Sequence, residues 1–264
     1  MKRVKSTVIC SAVLGTLLTM SPFVYADADK GLEIAKERKL RDKGWKDSTA
    51  SMEMLLKNAH GDTSNRLMRM KSLEVDNDGD KGLTIFDEPR DVKGTAFLTH
   101  SHVEGSDDQW LYLPALKRVK RISTRNKSGP FMGSEFAYED LSSFEIAKYN
   151  YNYLKDEQIQ GMDSFVVEQT PIDSKSGYTK QIVWLDKQHY RPLKVEYFDR
   201  KKALLKTLTL SDYKLYLDKY WRALKLEMVN HQSGKSTILN TSEITFQNGL
   251  DDKEFNQNTL KRIK

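Results

Sequence analysis

A single cysteine, Cys10, in 264 residues excludes an intramolecular disulfide and leaves little room for thiol chemistry. No apolar run reaches the roughly 20 residues that a membrane-spanning helix requires. Basic residues outnumber acidic ones by only 43 to 37, a margin too slight to argue for nucleic acid as a partner. Several chemical signatures are also missing. The chain has no Gly-x-Ser-x-Gly elbow, no His-Glu-x-x-His pair and no glycine-rich dinucleotide turn. These absences point away from disulfide scaffolds, membrane helices, nucleic-acid binders and the commonest hydrolase and oxidoreductase designs, and the reading is of a protein that is not an enzyme.

What is present begins with an export signal. Met1-Lys2-Arg3-Val4-Lys5 is basic, residues 8–20 are apolar apart from small and hydroxylated side chains, and Val24-Tyr25-Ala26 supplies the small residues a signal peptidase reads. Residues 1–26 are read as a cleaved signal peptide and residues 27–264 as one domain, located in the periplasm. Cleavage removes the cysteine and leaves 40 basic against 37 acidic residues, a formal charge of +3. The remaining 238 residues must fold by packing alone, and that length is comfortable for a single β-rich domain.

The mature chain opens with a helical pattern. Leu32, Ile34, Ala35 and Leu40 recur among basic residues, with Gly44 as a stop. After Trp45 the period changes from about 3.6 to 2, with Ala50, Met52, Met54 and Leu56 on one face of a half-buried strand. About a dozen strands follow, separated by turn-rich stretches such as residues 76–82, 105–108, 161–163 and 173–177. A meander of that length twists, and its free edges invite association, so it must curl into a barrel or fold over as a sandwich. The N-terminal helix and residues 133–144, where Phe136, Leu141 and Phe144 share a side, are available as covers.

Several motifs have a bland competing reading. Asp76-Asn77-Asp78-Gly79-Asp80 looks like a calcium loop, but Lys81 stands where glycine and Asp87 where glutamate is required, so a hairpin tip is expected. His100 and His102 near Glu104, Asp107 and Asp108 lack a third ligand at fixed spacing, and no metal or cofactor is assigned. Gly234-Lys235-Ser236 sits between strands and reads as a turn. Tyr149, Tyr151 and Tyr153 alternate on one strand, either along a cavity or in ordinary packing. Lys117, Arg118, Lys120, Arg121, Arg125 and Lys127 form a stretch without acid. It is suited to anionic head groups or an acidic partner, or to keeping a sheet edge from pairing.

The central blocks, from Lys93-Gly94-Thr95-Ala96-Phe97 through Trp110-Leu111-Tyr112-Leu113-Pro114-Ala115-Leu116-Lys117-Arg118 to Phe131-Met132-Gly133-Ser134-Glu135-Phe136, resemble the outer membrane lipoprotein-sorting protein family. That family is itself similar to LolA, the periplasmic lipoprotein carrier. The resemblance implies a mainly β (α+β), LolA/LolB-like fold: an unclosed antiparallel barrel with a helical lid and an apolar cavity for acyl chains. It further implies lipid or lipoprotein cargo, an inner-membrane exporter, possible companions of the RND/MMPL type, and an outer-membrane acceptor. LolA's lid is latched by a strand arginine. The corresponding stretch here, Phe86-Asp87-Glu88-Pro89, is acidic.

On this reading the cavity is lined by Met52, Met54, Leu56, Met68, Met70, Phe97, Trp110, Tyr112, Val195, Tyr197, Leu208, Leu210, Leu224, Leu226 and Met228. Methionine suits such a wall, because its flexible thioether fills irregular space without imposing one shape; ordinary core packing is the alternative. Phe131, Met132 and Phe136 form the lid, and Lys117, Arg118, Lys120 and Arg121 meet a partner or head group. The rival function is a periplasmic adaptor that binds an exporter of the same type through the basic strand and holds no cargo.

Overall fold

A computed structural model describes residues 27–262. Helix α1 (Ala28–Arg41) leads into β1 (Asp47–Lys57), β2 (Thr63–Leu73), β3 (Lys81–Glu88), β4 (Ala96–His100), β5 (Asp108–Leu113) and β6 (Arg118–Arg121). Strands β7 (Tyr149–Ile159), β8 (Met162–Pro171), β9 (Tyr178–Asp186), β10 (Pro192–Asp199), β11 (Leu204–Tyr216), β12 (Tyr220–Asn230) and β13 (Ser236–Phe246) follow. All thirteen belong to one antiparallel sheet in the order β6-β5-β4-β3-β2-β1-β13-β12-β11-β10-β9-β8-β7. Every neighbour is a sequence neighbour except β1 with β13, which joins the two halves.

The sheet curls without closing. Its free edges, β6 and β7, are consecutive in the chain, so the segment between them, residues 122–148, must bridge the opening. That segment is the cover. Where the resemblance implied a helical lid, it forms single 3-10 turns at Thr124–Asn126, Phe131–Gly133, Tyr138–Leu141 and Ile146–Lys148. Phe136, Leu141 and Phe144 do pack inward.

Helix α1 protects the β7 edge. Asp27 caps the helix by accepting from the Lys30 amide at 2.9 Å, and exchanges backbone hydrogen bonds with Tyr153 of β7. Gly31 is required by this approach, since a Cβ would stand 2.8 Å from the Tyr153 nitrogen. One turn further on, Ile34 and Ala35 enter the inner core. The β6 edge is instead short and charged, which discourages a further strand from adding there.

Two apolar layers result. The concave face gathers residues from nearly every strand around Met54, Met68, Phe86, Phe97, Leu185 and Met228. On the convex side, the C-terminal tail lays Phe255 and Leu260 over Leu83, Ile85, Ala96 and Leu98. Lys71 with Glu254 and Lys81 with Asp252 fasten the tail by ion pairs. Strands β3 and β4 are therefore buried on both faces.

Candidate functional site

The concave interior is not filled. Two cavities lie beneath the cover, of about 320 and 410 Å³, both within the range of small-molecule sites. Asp140, Ser142 and Ser143 of the cover line both, so this segment forms the partition between them.

The smaller chamber is walled by Met52 and Met54 of β1, Met68 and Met70 of β2, Phe97 of β4 and Leu226 of β12. Strand pairing explains the cluster: Met52 stands opposite Met68, and Ala50 opposite Met70, so the four thioethers share one face of a hairpin. Phe131 and Phe136 close it from above, each at most 3 % exposed. The Phe131 ring lies 5.0 Å from Phe97 and 5.8 Å from both Phe86 and Tyr138, an aromatic cluster that seats the cover on β3 and β4. Met132 packs against the same core.

The larger chamber takes Val195 and Tyr197 of β10, Leu208 and Leu210 of β11, and Tyr149 of β7. Burial holds the phenols of Tyr149, at about 12, and Tyr197 above their ordinary range, so both remain neutral. Arg38 of α1 and Gln169 of β8 complete part of its wall.

Polar ties hold the cover down. Lys206 of β11 donates to the Glu135 carbonyl at 2.8 Å and to Asp140 Oδ2 at 2.6 Å. Both charged side chains are 4 % exposed. Asp140 also accepts from the Ala137 amide at 2.7 Å and the Tyr178 hydroxyl at 2.8 Å, so its charge is fully hydrogen-bonded. The Glu135 amide donates to Thr237 Oγ1, Asn230 donates to the Glu135 carboxylate, and Gln109 donates to the Tyr138 carbonyl. From the opposite wall, Arg66 of β2 donates to the Met132 carbonyl. Residues 86–89 contain no arginine; the arginine that hydrogen-bonds the Met132 carbonyl of the cover comes from the neighbouring strand.

Three expected wall residues lie elsewhere. Trp110 and Tyr112 point to the convex face and pack with the C-terminal tail's cluster, while Leu111 between them faces inward opposite Phe97. Both faces of β5 are apolar, so alternation alone could not choose the inner one. Leu224 lines neither chamber; β12 loses regular pairing where Asp212 of β11 adopts a left-handed φ of 55°, and Ala223 packs against the inner core instead. Met228 is buried in that core and Leu56 packs against it, but neither borders a chamber.

Lys117, Arg118, Lys120 and Arg121 are exposed on or beside β6, the free edge, and Arg121 pairs with Asp108. Residues 76–80 lie in the β2–β3 turn, with Lys81 and Gly82 opening β3, and residues 231–235 join β12 to β13. The two histidines separate: His100 meets Trp110 edge-on and the Phe255 carbonyl at 2.7 Å, whereas His102 lies 2.9 Å from Asp78 and 3.4 Å from Asp108.

Arg66, Lys206 and Asp140 escaped the sequence reading, although a signal existed for two of them. Arg66 has the same parity as Met68 and Met70, and Lys206 the same parity as Leu208 and Leu210. A charge on the apolar face of a strand is costly unless a partner waits for it.

Comparison with known proteins agrees with this architecture. A family model described as an uncharacterized protein matches residues 78–262. The fold is similar to the crystal structure of an outer membrane lipoprotein-sorting protein domain from Vibrio parahaemolyticus, with 73 % sequence identity and a TM-score of 0.88 over 89 % of this chain and all of that one. A DUF1329 family protein from Desulfovibrio piger is 28 % identical, with a TM-score of 0.83 over 88 % of this chain and 98 % of its own. A LolA superfamily protein from Nitrosomonas europaea, 22 % identical, shares the fold at a TM-score of 0.67 over 86 % and 97 % of the two chains. No curated protein matches the sequence.

Proposed function

Because the chain belongs to the outer membrane lipoprotein-sorting protein family, with a LolA-like fold, we propose that it is a periplasmic carrier that shelters the acyl chains of a lipid or lipoprotein. It takes them from an inner-membrane exporter towards the outer membrane. The supporting observation is the pair of chambers beneath a cover fastened by a few polar ties.

An acyl chain in water forfeits about 0.8 kcal/mol per CH₂, so an ordinary chain costs on the order of 10 kcal/mol to expose. A carrier must offset most of that and still release its load at a bilayer. Its wall should therefore be apolar and adaptable, and its interior less favourable than the membrane. Thioethers on the β1–β2 hairpin meet the first requirement. A cover held by ion pairs and hydrogen bonds to backbone carbonyls meets the second, because those groups can exchange partners with water when the segment lifts. The exposed basic edge at β6 is the surface proposed to meet anionic head groups or an acidic partner.

Residues 1–26, outside the described residues, are proposed to direct export. Transfer on this scheme is a change of binding partner and makes or breaks no covalent bond.

Native mass spectrometry of protein purified from its own periplasm tests the reading. Co-purifying lipid is expected, and Phe131→Asp and Phe136→Asp should abolish it by placing a charge against the smaller chamber. A clean ligand-free mass for the folded wild-type protein would overturn the carrier and leave the cargo-free adaptor.

A further inference from the structure

The larger chamber contains two donors with nothing to donate to. Arg38 lays its guanidinium 4.1 Å from the centre of the Phe144 ring, and among the described residues no carboxylate or carbonyl accepts from it. Gln169 is 2 % exposed, and its Nε2 has no hydrogen-bond partner. The other charged groups of the wall all have hydrogen-bond or ion-pair partners, although Glu139 has no cation among them. Lys127 pairs with Asp173, Lys148 with Asp107 and Asp140 with Lys206, while Glu139 accepts from Ser176 Oγ and the Gly177 amide.

The guanidinium of Arg38 and the amide of Gln169 are therefore donors without an acceptor among the described residues, on a wall that also carries phenols, aliphatic side chains and hydrogen-bonded polar groups. A buried donor left without an acceptor, as the Gln169 amide is, costs about 1–3 kcal/mol, and the half-buried Arg38 adds a charge with no acceptor among the described residues. Burial lowers the Arg38 pKa, yet a guanidinium stays protonated throughout the accessible range. Native proteins seldom keep such groups unless something else supplies the missing oxygens.

We propose that the larger chamber anchors an anionic amphiphile: a carboxylate or phosphate head accepts from Arg38 and Gln169, and the chain lies along Val195, Leu208 and Leu210. This rests on the carrier reading and narrows it by naming the charge of the cargo. A lipoprotein's acylated cysteine has no such anion, so the chemistry selects an anionic lipid.

The test uses the delipidated mature protein and two fluorescent probes that differ only in the head, dansyl-undecanoic acid and its methyl ester. The acid should bind about tenfold or more tighter than the ester, the equivalent of one charge-assisted contact. Arg38→Gln should bring that ratio close to one, Arg38→Lys should retain part of it, and Gln169→Leu should reduce it by roughly threefold. Because the result is a ratio within each variant, a general loss of folded protein does not mimic it.

Equal binding of acid and ester by the wild type, or an acid-to-ester ratio unaltered by Arg38→Gln, would overturn the anchor and leave the carrier standing. Failure of both probes to bind would overturn the two together. Displacement of the acid by millimolar inorganic phosphate would assign a plain anion site and overturn the amphiphile.

Discussion

The two chambers differ in kind more than in size. The smaller, bounded chiefly by β1, β2 and β4, carries four methionines and three phenylalanines, with Asp80, Lys81, Thr84, Thr99 and Ser101 at its polar side. The larger, bounded by β7 to β11, contains phenols, a guanidinium and a buried amide. Thioethers adapt to whatever shape enters, whereas aromatic hydroxyls and fixed donors discriminate. One sheet thus offers a permissive wall and a selective wall on either side of a shared partition; the selective one holds the Arg38 and Gln169 donors, and the permissive one the Thr99 hydroxyl, unpartnered among the described residues.

The largest effect should come from the partition itself. Lys206→Met strands the Asp140 carboxylate in the interior and is expected to cost about 3–5 kcal/mol. For a domain of this length that lowers Tm by roughly 6–20 °C in calorimetry. Adding Asp140→Leu should recover much of the loss, since an apolar pair leaves no buried charge.

Within the chambers the contrast should appear as different tolerance. Met54→Ala leaves a hole and should cost about 2–5 kcal/mol, but Met52→Leu with Met70→Leu should cost less than about 1.5 kcal/mol by denaturant titration. Behind the selective chamber, Tyr178→Phe deletes the bond to Asp140 and should cost about 1–3 kcal/mol, more than Tyr197→Phe in its wall, whose hydroxyl has no such partner. A chain in which the leucine pair proves as damaging as the tyrosine change would remove the distinction between adaptable and fixed walls.

Arg66→Met should act on the cover more than on the fold. Amides of residues 131–137 are expected to exchange with deuterium about tenfold faster, while those of β8 and β9 keep their protection. Unchanged exchange would show that the aromatic cluster around Phe131 alone holds the segment.

The smallest effect lies outside both chambers and serves as a control. Hydrogen bonds that the His102 ring donates to the Asp78 and Asp108 carboxylates raise its pKa above 6.5. Stabilisation from the protonated form is complete below the unfolded value and is lost as pH rises through the folded one. The pair is partly exposed, so the contribution is under about 1 kcal/mol. Asp78→Asn should bring the His102 titration, followed by NMR, back towards 6.5 without changing either chamber's binding.

The strand faces that were legible in the sequence are those with one wet side. Met52, Met54, Met68 and Met70 alternate with polar neighbours apart from Leu55 and Leu67, and Leu208 and Leu210 alternate with threonine and serine; their placement follows from period 2. Around Trp110 the pattern fails, because a tail about 140 residues further along covers the convex face and makes both sides of β5 apolar. The ties of the cover were hidden for a related reason. Arg66 with Met132, and Lys206 with Asp140, join positions about 66 residues apart, and no local pattern announces which distant group will answer a buried charge.

The order of turn residues and the alternation of side chains determined a long antiparallel meander with one greasy face, since both depend on neighbours only two to five positions away. Which edges stay open, how the segment between them divides the interior, and which donors are left facing empty space were decided by tertiary structure. Those outcomes depend on where the curl of the whole sheet brings β6 and β7, and twist accumulates over all thirteen strands before that distance is set.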